Sequence, residues 1–230
     1  MPAALVLEEP LERLTLGEQA YARLADLLIS GRLAPGEKLS LRGSAEVLGV
    51  SIMPVRAAVS RLVADRALEV TPNRAIRVPM MSATLFRDIT ANRVAIEGRA
   101  AALAAERRSD ADILAIAAAE AEMRAESTAD IPDLPRAVEA NKRFHFAVYQ
   151  AAKSPTLIGI IQALWLKVGP VINLDLRENP ERIHTGGAVR FHAELLDAII
   201  KRDPDKARAA LAADIQGASD FILSRGNLPD

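Results

Sequence analysis

The sequence predicts a mainly α-helical protein, in which a small N-terminal helix-turn-helix unit with a β-hairpin precedes an all-α antiparallel helical bundle. Half of the 230 residues are hydrophobic but only 3% are aromatic, a composition that favours packed helices over sheets. Turn residues and helix-start residues alternate along the chain at helix-length intervals. The length suits two domains, and we expect them to span residues 10–79 and 80–230.

A Pro-Gly turn opens the N-terminal pattern. Pro35 fixes φ, and Gly36 permits a chain reversal. Apolar residues then recur on one helix face from Leu41 to Leu48, and Gly49 follows at a position where helices favour a left-handed residue. These signals predict a short helix that ends in a tight turn.

A second helix is predicted directly after that turn. Ser51 is a suitable N-cap, and Pro54 lies in the first turn, where a missing N–H costs nothing. The buried stripe of this helix consists of Val55, Val59, Leu62 and Val63. Its outward face near the start carries Ser51, Ile52, Met53 and Arg56. Helix-turn-helix proteins place these first turns against base edges in the major groove of DNA.

An alternating apolar pattern follows the second helix. Leu68 and Val70 stand before the segment 71–74, and Ile76 and Val78 follow it. This arrangement predicts a small β-hairpin whose tip projects as a wing.

Together these residues resemble the winged helix-turn-helix domain of the GntR family of transcriptional regulators, with the same order of motifs over residues 30–79. The chain departs from the usual family residues Glu, Arg, Gly and Gly at Leu41, Ile52, Ala67 and Ala75. Glycine at the last of these positions tolerates backbone conformations that alanine does not. The resemblance implies double-stranded DNA as a partner, contacted by Arg42, Ser51, Ile52, Met53, Arg56, Asn73 and Arg74.

Charge and composition limit the possible functions. Residues 11–79 hold ten Lys and Arg against seven Asp and Glu, a net charge of +3, whereas residues 80–230 hold nineteen against twenty-one, a net charge of −2. The N-terminal part therefore has the sign that suits phosphate. The absence of Cys excludes disulfides and fits a reducing cytoplasm. We expect no membrane span, because no apolar run approaches about 20 residues, and no signal peptide in residues 1–10.

Residues 80–230 divide into six predicted helices. Ser82 and Ser109 are suitable N-caps for the first two, which we expect to end near Arg108 and Ser127. An antiparallel bundle turns the apolar stripes of its helices inward and leaves an interior cavity as a place for a ligand. The six helices are predicted to begin near residues 82, 109, 131, 154, 179 and 204.

Several segments of this second part resemble the FCD ligand-binding domain of the FadR subfamily. They include Arg93-Val94-Ala95-Ile96-Glu97, Asn141-Lys142-Arg143-Phe144-His145 and Phe191-His192. Asn141 stands where that domain commonly has Asp, and Asp214 stands where it commonly has His. The resemblance implies an all-helical domain for effector binding and dimerisation, in which an organic acid binds to a metal ion and regulates the DNA-binding unit.

Helix geometry brings four polar residues towards one another. Asn141 and His145 are four residues apart and share a helix face. His192 lies eleven residues before Asp203 and Asp214 eleven after it, so both sit at one level of an antiparallel pair. We expect Asn141, His145, His192 and Asp214 to bind a divalent ion such as Zn²⁺ or Ni²⁺, although a lone buried His is more often a hydrogen-bonded core residue. Because Asn141 and Asp214 replace the commoner Asp and His, weaker metal binding, or imidazoles that bind an anion without a metal, stays open as an alternative.

The predicted effector site shares these residues. We expect Arg93, Asn141, His145 and His192 to bind a small carboxylate, with Arg93 as a bidentate clamp. Arg93 and Glu97 are alternatively an ion pair between residues i and i+4.

These features favour a ligand-responsive transcriptional regulator of a metabolic operon, and we expect it to repress transcription rather than activate it. One recognition helix reads few bases, so we expect a homodimer on a palindromic operator. Two alternatives stay open. Two His and a carboxylate also suit a metal-dependent enzyme that acts on a small acid, although no HExxH motif or nucleophile elbow occurs. Ile52 and Ala75 would also suit a family member that binds an effector but has weakened DNA recognition.

Overall fold

The computed structural model describes residues 14–178, 181–185 and 187–230, which form ten helices and three short strands. The N-terminal elements are α1 (Leu16–Ile29), β1 (Lys38–Leu39), α2 (Leu41–Leu48), α3 (Ile52–Ala64), β2 (Glu69–Val70) and β3 (Ile76–Arg77). The later elements are α4 (Ala83–Arg107), α5 (Asp110–Thr128), α6 (Leu134–Ala151), α7 (Pro155–Glu178), α8 (Glu181–Thr185), α9 (Ala188–Ile200) and α10 (Pro204–Ser224). The predicted fold class is confirmed, while the domain boundary at residue 79 stays a prediction.

The N-terminal elements form the predicted helix-turn-helix with a small sheet. Gly49 ends α2 in the left-handed conformation, with φ of 65°, and Ser51 is the N-cap of α3. The buried side chains of α3 share one core with Leu24 and Leu28 of α1. β3 lies between β1 and β2 and pairs antiparallel with both.

The sequence patterns above do not predict two of these elements, α1 and β1. A local signal for α1 exists, because Thr15 and Glu18 form a capping box at its start. β1 has only two residues and is defined by its pairing with β3, so a local pattern carries little information about it.

The wing corrects the expectation about Ala75. The left-handed residue of the turn is Arg74, with φ of 63°, and Ala75 is not among the described non-glycine residues with positive φ. Backbone hydrogen bonds from Thr71 N to Ala75 O (2.9 Å) and from Arg74 N to Thr71 O (2.8 Å) close the turn. Alanine at this position therefore causes no left-handed backbone strain.

The bundle has seven helices in the described part of the chain, so the expectation of six is wrong. Ser82 and Ser109 cap α4 and α5 through their side chains, as predicted. The predicted fifth helix is divided into α8 and α9, because Gly187 has φ of 73° and interrupts the right-handed helix. The start predicted for that helix at residues 179–180 lies outside the described residues.

α7 corrects the expectation that no apolar run is long enough to span a membrane. Pro155–Leu176 has 22 residues with a mean hydropathy of 1.6, which is sufficient by length and composition. Half of this stretch is buried inside the fold, as in the core helix of a helical bundle.

α7 also joins the N-terminal unit to the bundle. Its Leu166 belongs to the core of the N-terminal unit. A Cβ on Gly169 would lie 2.7 Å from Ile29 Cα, and a Cβ on Gly31 would lie 2.7 Å from Leu174 N. The backbones of α7 and of the end of α1 are therefore in direct contact.

This contact predicts different effects for two glycine substitutions in α7. We expect Gly169→Ala to lower the free energy of unfolding by about 1–3 kcal/mol, because the added methyl group overlaps the Ile29 backbone and because Gly169 precedes Pro170. Gly159→Ala is the matched control. Nothing lies within 4 Å of its Cβ position, so it should raise the free energy of unfolding by about 0.5–1 kcal/mol. Urea unfolding measures both, and equal stability of the two variants would contradict the close approach.

Candidate effector and metal site

Three buried side chains from three helices meet inside the bundle. They are His145 of α6, His192 of α9 and Asp214 of α10. Asp214 Oδ2 lies 3.3 Å from His145 Nε2 and 3.7 Å from His192 Nε2. The structure thus brings His192 and Asp214 to one level on either side of the bend at Asp203.

A chain of hydrogen bonds fixes the proton position on His145. Arg93 and Glu97 form a buried ion pair, with Nε and Oε1 2.6 Å apart and Nη2 and Oε2 3.1 Å apart. Tyr149 donates its hydroxyl hydrogen to Glu97 and lies 3.2 Å from His145 Nδ1. Because the hydroxyl has one hydrogen, Nδ1 of His145 carries the proton of that hydrogen bond. A neutral His145 therefore directs the lone pair of Nε2 towards Asp214.

Burial and charge act in opposite directions on the pKa values of His145 and Asp214. Burial lowers the pKa of His145 below its ordinary value, although Asp214 acts to raise it. Burial acts to raise the pKa of Asp214, but His192 and His145 hold it below its ordinary value. A metal ion between these groups would replace the imidazole protons as the charge partner of the Asp214 carboxylate.

The spacing of these atoms fits a metal ion. In a tetrahedral site with bonds near 2.1 Å, neighbouring ligand atoms lie about 3.4 Å apart. The separations of 3.3 and 3.7 Å from Asp214 Oδ2 to Nε2 of His145 and of His192 are close to this value. His192 is 1% exposed, and neither of its ring nitrogens has a hydrogen-bond partner. Two imidazoles and a carboxylate are a ligand set that suits Zn²⁺ or Ni²⁺.

A small cavity of about 30 Å³ adjoins this cluster. It has room for an ion or a water molecule, so a bound acid would require the surrounding side chains to move. Among the described residues it is lined by Arg93, Met123, Asn141, His145, Trp165, Ile172, Asn173, Leu176, Arg182, Ala188, Asp214, Ile215 and Ala218. Asn141 thus lies at the cavity one helical turn before His145.

Unpaired polar atoms concentrate at this cavity. In the described part of the chain, four buried side-chain atoms have no hydrogen-bond partner: Trp165 Nε1, Asn173 Oδ1, His192 Nδ1 and His192 Nε2. Trp165 and Asn173 line the cavity, and His192 lies beside Asp214. An unpaired buried polar atom costs about 1–3 kcal/mol, so their concentration here favours a site that a ligand completes.

Arg93 lines the cavity but has a different role from the predicted clamp. Its Nε and Nη2 atoms are bonded to Glu97, so this edge of the guanidinium is not available to a ligand carboxylate. The alternative pairing of Arg93 with Glu97 is what the structure shows.

Sequence reasoning missed several residues at this site. Tyr149 stands four residues after His145, the spacing of a helix neighbour, and could have been found from it. Asn173 is a polar residue within a strongly apolar helix, which is also a signal. Arg182 lines the cavity and is paired with Asp175 at 2.8 Å, but no local pattern marks it.

The predicted DNA-contacting residues lie at the opposite, N-terminal end of the chain. Arg42, Ser51, Met53, Arg56, Asn73 and Arg74 are exposed, and Ile52 is half-buried. The apolar side of α3 faces the core, with Val55 and Leu62 fully buried. The start of α3 and the wing are therefore open to solvent, as DNA contact requires.

Comparison with known proteins covers both parts of the chain. Residues 16–78 match the family described as bacterial regulatory proteins, gntR family, and residues 88–217 match the FCD domain. The FCD match alone covers more than half of the chain. The chain belongs to the GntR family.

Relatives of this GntR-family protein are regulators. The HTH-type transcriptional regulator McbR of Escherichia coli (strain K12) is 30% identical over 214 residues, which are 90% of this chain and 92% of that protein. The uncharacterised HTH-type transcriptional regulator BphR of Paraburkholderia xenovorans (strain LB400) is 26% identical and covers 93% of this chain and 88% of its own length.

Solved structures agree with the fold. The structure of E. coli McbR/YncC has a TM-score of 0.85 at 28% identity and covers 94% of this chain and all of its own. A putative GntR regulator from Rhodococcus sp. RHA1 has a TM-score of 0.70 at 21% identity, covering 90% of this chain and 97% of its own, and supports the fold alone.

The comparisons decide the general function. The protein is a DNA-binding transcriptional regulator with an FCD domain, and the families that it matches are regulators rather than enzymes. GntR regulators commonly dimerise, and such a regulator works in the cytoplasm. Assignment to the FadR subfamily stays a prediction.

The buried ion pair predicts a large effect of one substitution on stability. We expect Arg93→Met to lower the free energy of unfolding by about 3–5 kcal/mol, because it leaves the carboxylate of Glu97 buried without its charge partner. Arg190→Met is the control, since Arg190 and Glu194 form an exposed pair with the same spacing at 3.8 Å, and the expected loss is below about 1 kcal/mol. Denaturant unfolding measures both losses. Similar losses in the two variants would show that the buried pair stabilises the fold no more than the exposed pair does.

Proposed function

We propose that this GntR-family regulator of the FadR subfamily represses a metabolic operon and that a small organic acid in the bundle cavity changes its affinity for DNA. The protein would act as a homodimer on a palindromic operator. The observation that carries the proposal is the group of unpaired buried polar atoms on Trp165 and Asn173, which line the small cavity, and on His192, which lies beside Asp214.

The proposed cofactor is a divalent ion, Zn²⁺ or Ni²⁺, held by His145, His192 and Asp214 with Asn141 beside them. The ion would supply positive charge for the carboxylate of the acid. The residues of the chain prepare this site. Glu97 and Tyr149 set the tautomer of His145, as outer hydrogen-bond partners do in metal sites.

The proposed effector-binding residues are Arg93, Asn141, His145 and His192. Arg93 lies at the cavity wall with its Cζ atom 5.0 Å from the centroid of the Trp165 ring. Because its Nε and Nη2 atoms are bonded to Glu97, it would offer an acid only its Nη1 atom and not a bidentate clamp. The unpaired Nε1–H of Trp165 is a further donor for a carboxylate.

The proposed DNA-binding residues are Arg42, Ser51, Ile52, Met53, Arg56, Asn73 and Arg74. The exposure of the start of α3 supports this assignment, and the positive net charge of residues 11–79 suits phosphate. Weakened DNA recognition remains the second candidate, because the half-buried Ile52 replaces an arginine that is usual in the family and offers no charged contact.

Selection from random duplex DNA tests the DNA-binding proposal. We expect the purified protein to enrich a two-fold symmetric sequence, and Arg56→Ala to weaken binding to it by about 1–3 kcal/mol. Arg23→Ala is the control, because it removes the same charge from an exposed position on α1, outside α3 and the wing. Fluorescence anisotropy at several salt concentrations gives the affinities. Failure to enrich any sequence at low salt would support weakened DNA recognition, and equal effects of the two substitutions would contradict the role of Arg56.

Calorimetric titration of the chelator-stripped protein with Zn²⁺ or Ni²⁺ tests the metal site. We expect one site per chain, loss of measurable binding in His192→Phe, and a roughly 10–100-fold weaker affinity in Tyr149→Phe, which removes the hydrogen bond to His145. His184→Asn is the control, because His184 is exposed on α8 and contacts the carbonyl oxygen of Ser127 at 2.8 Å. A wild-type protein that binds neither ion, or a control variant that loses binding, would contradict the proposed site.

A further inference from the structure

The outward face of α3 is apolar near its start, where the proposed DNA contact lies. Met53, in the first turn, is 63% exposed although it is a large hydrophobic residue. Ala57 and Ser60 are also exposed and follow it along the same face, four and seven residues later. Val55 and Leu62 are fully buried on the opposite side. The first two turns of α3 therefore present a thioether and a methyl group to the solvent at the point furthest from the core.

Charged groups stand at the two sides of this face. Arg56 is the only charged residue among residues 51–60, and it lies about 60° around the helix from Met53 at 3.6 residues per turn. On the other side, the guanidinium of Arg61 lies 4.0 Å from the centroid of the Tyr21 ring and is held against α1. Neither arginine covers the centre of the face.

The position before Met53 does not add a polar contact. Ile52 stands where the family commonly has arginine, and it is half-buried. Its side chain has no hydrogen-bond donor or acceptor. Base recognition by the first two turns of α3 therefore depends on the hydroxyl of Ser51, on the guanidinium of Arg56 and on apolar contacts.

The major groove of DNA offers one apolar group to such a surface. All base edges there present hydrogen-bond donors or acceptors, and thymine alone also presents a methyl group, at C5. A thioether donates no hydrogen bond, so a polar base edge covered by Met53 loses its water without gaining a partner, which weakens binding. Against thymine the same side chain buries a methyl group, which strengthens binding.

We infer that Met53 is a specificity residue that recognises the C5 methyl group of a thymine in each half of the operator. This inference rests on the proposed DNA-binding function and names the chemical group on the DNA that α3 selects. The contact is apolar, so it differs in kind from the guanidinium contact proposed for Arg56. It also gives the departure from arginine at Ile52 a consequence, which is a change in the bases selected.

Replacement of thymine by uracil tests this inference on the operator obtained by selection. Deoxyuridine pairs with adenine as thymidine does and lacks only the methyl group. We would replace each thymine in turn, in both half-sites at once, and measure the affinity of the wild-type protein by fluorescence anisotropy. We expect one symmetric pair of positions at which the affinity falls roughly 15-fold, because burial of one methyl group contributes a factor of roughly four in each half-site.

Met53→Ala tests whether this residue makes the contact. We expect the fall caused by uracil at that pair of positions to shrink to within about twofold, because the shorter side chain buries little of the methyl group. Met80→Ala is the matched control, since it shortens another exposed methionine, which is 53% exposed and lies outside α3 and the wing. It should leave the full effect of uracil in place. Both side chains are exposed, so both variants should fold.

The outcomes separate this inference from the proposed function. A wild-type protein that enriches no sequence would contradict the DNA-binding proposal, and the role of Met53 falls with it. An enriched operator without a preferred thymine in each half-site, or one that uracil does not weaken, would overturn only the role of Met53. A full effect of uracil in Met53→Ala, or an equal loss of the effect in Met80→Ala, would overturn it as well.

Discussion

The buried contact of Asp214 with two imidazoles is the constraint on which the site depends. A carboxylate oxygen of Asp214 lies 3.3 Å from His145 Nε2, and the two ring nitrogens of His192 beside it have no hydrogen-bond partner. Buried polar atoms without a hydrogen-bond partner destabilise a fold by about 1–3 kcal/mol each, which is a large fraction of the roughly 5–15 kcal/mol that keeps a domain folded. A cation bound as proposed would relieve this cost.

The rest of the bundle positions these three residues. Glu97 and Tyr149 keep the lone pair of His145 directed at Asp214, and Arg93 balances the charge of Glu97. α7 forms one wall of the cavity and also contacts α1 through the glycines described above. The proposed effector site and the DNA-binding unit therefore both contact α7, so a change at the cavity would have a short physical route to α3.

Much of the fold could be predicted from the sequence because its signals are local. Gly49, Ser82 and Ser109 mark helix ends through backbone conformation and capping, which depend on neighbours in the chain. His192 and Asp214 were predicted to lie at the same height along two antiparallel helices, because each is eleven residues from the bend at Asp203 and the rise per residue of a helix is constant. The division of α8 from α9 was missed, because the conformation of Gly187 is not encoded by a periodic pattern.

The site was predictable only where its contacts follow helix spacing. The pairing of Arg93 with Glu97 and the contact of His145 with Tyr149 both lie at i, i+4. The hydrogen bond of Asn173 to Ile29 joins residues 144 positions apart and depends on how α7 packs on α1. The left-handed conformation of Arg74 rather than Ala75 depends on the hydrogen bonds that close the wing.

Anomalous X-ray diffraction from crystals of the Zn²⁺-loaded protein tests the central claim most directly. The account predicts one strong peak at the zinc absorption edge in each chain, bonded to His145 Nε2, His192 and Asp214 at about 2.0–2.2 Å. A zinc-loaded crystal with no peak between these side chains, or with the ion bound only at exposed positions such as His184, would contradict it.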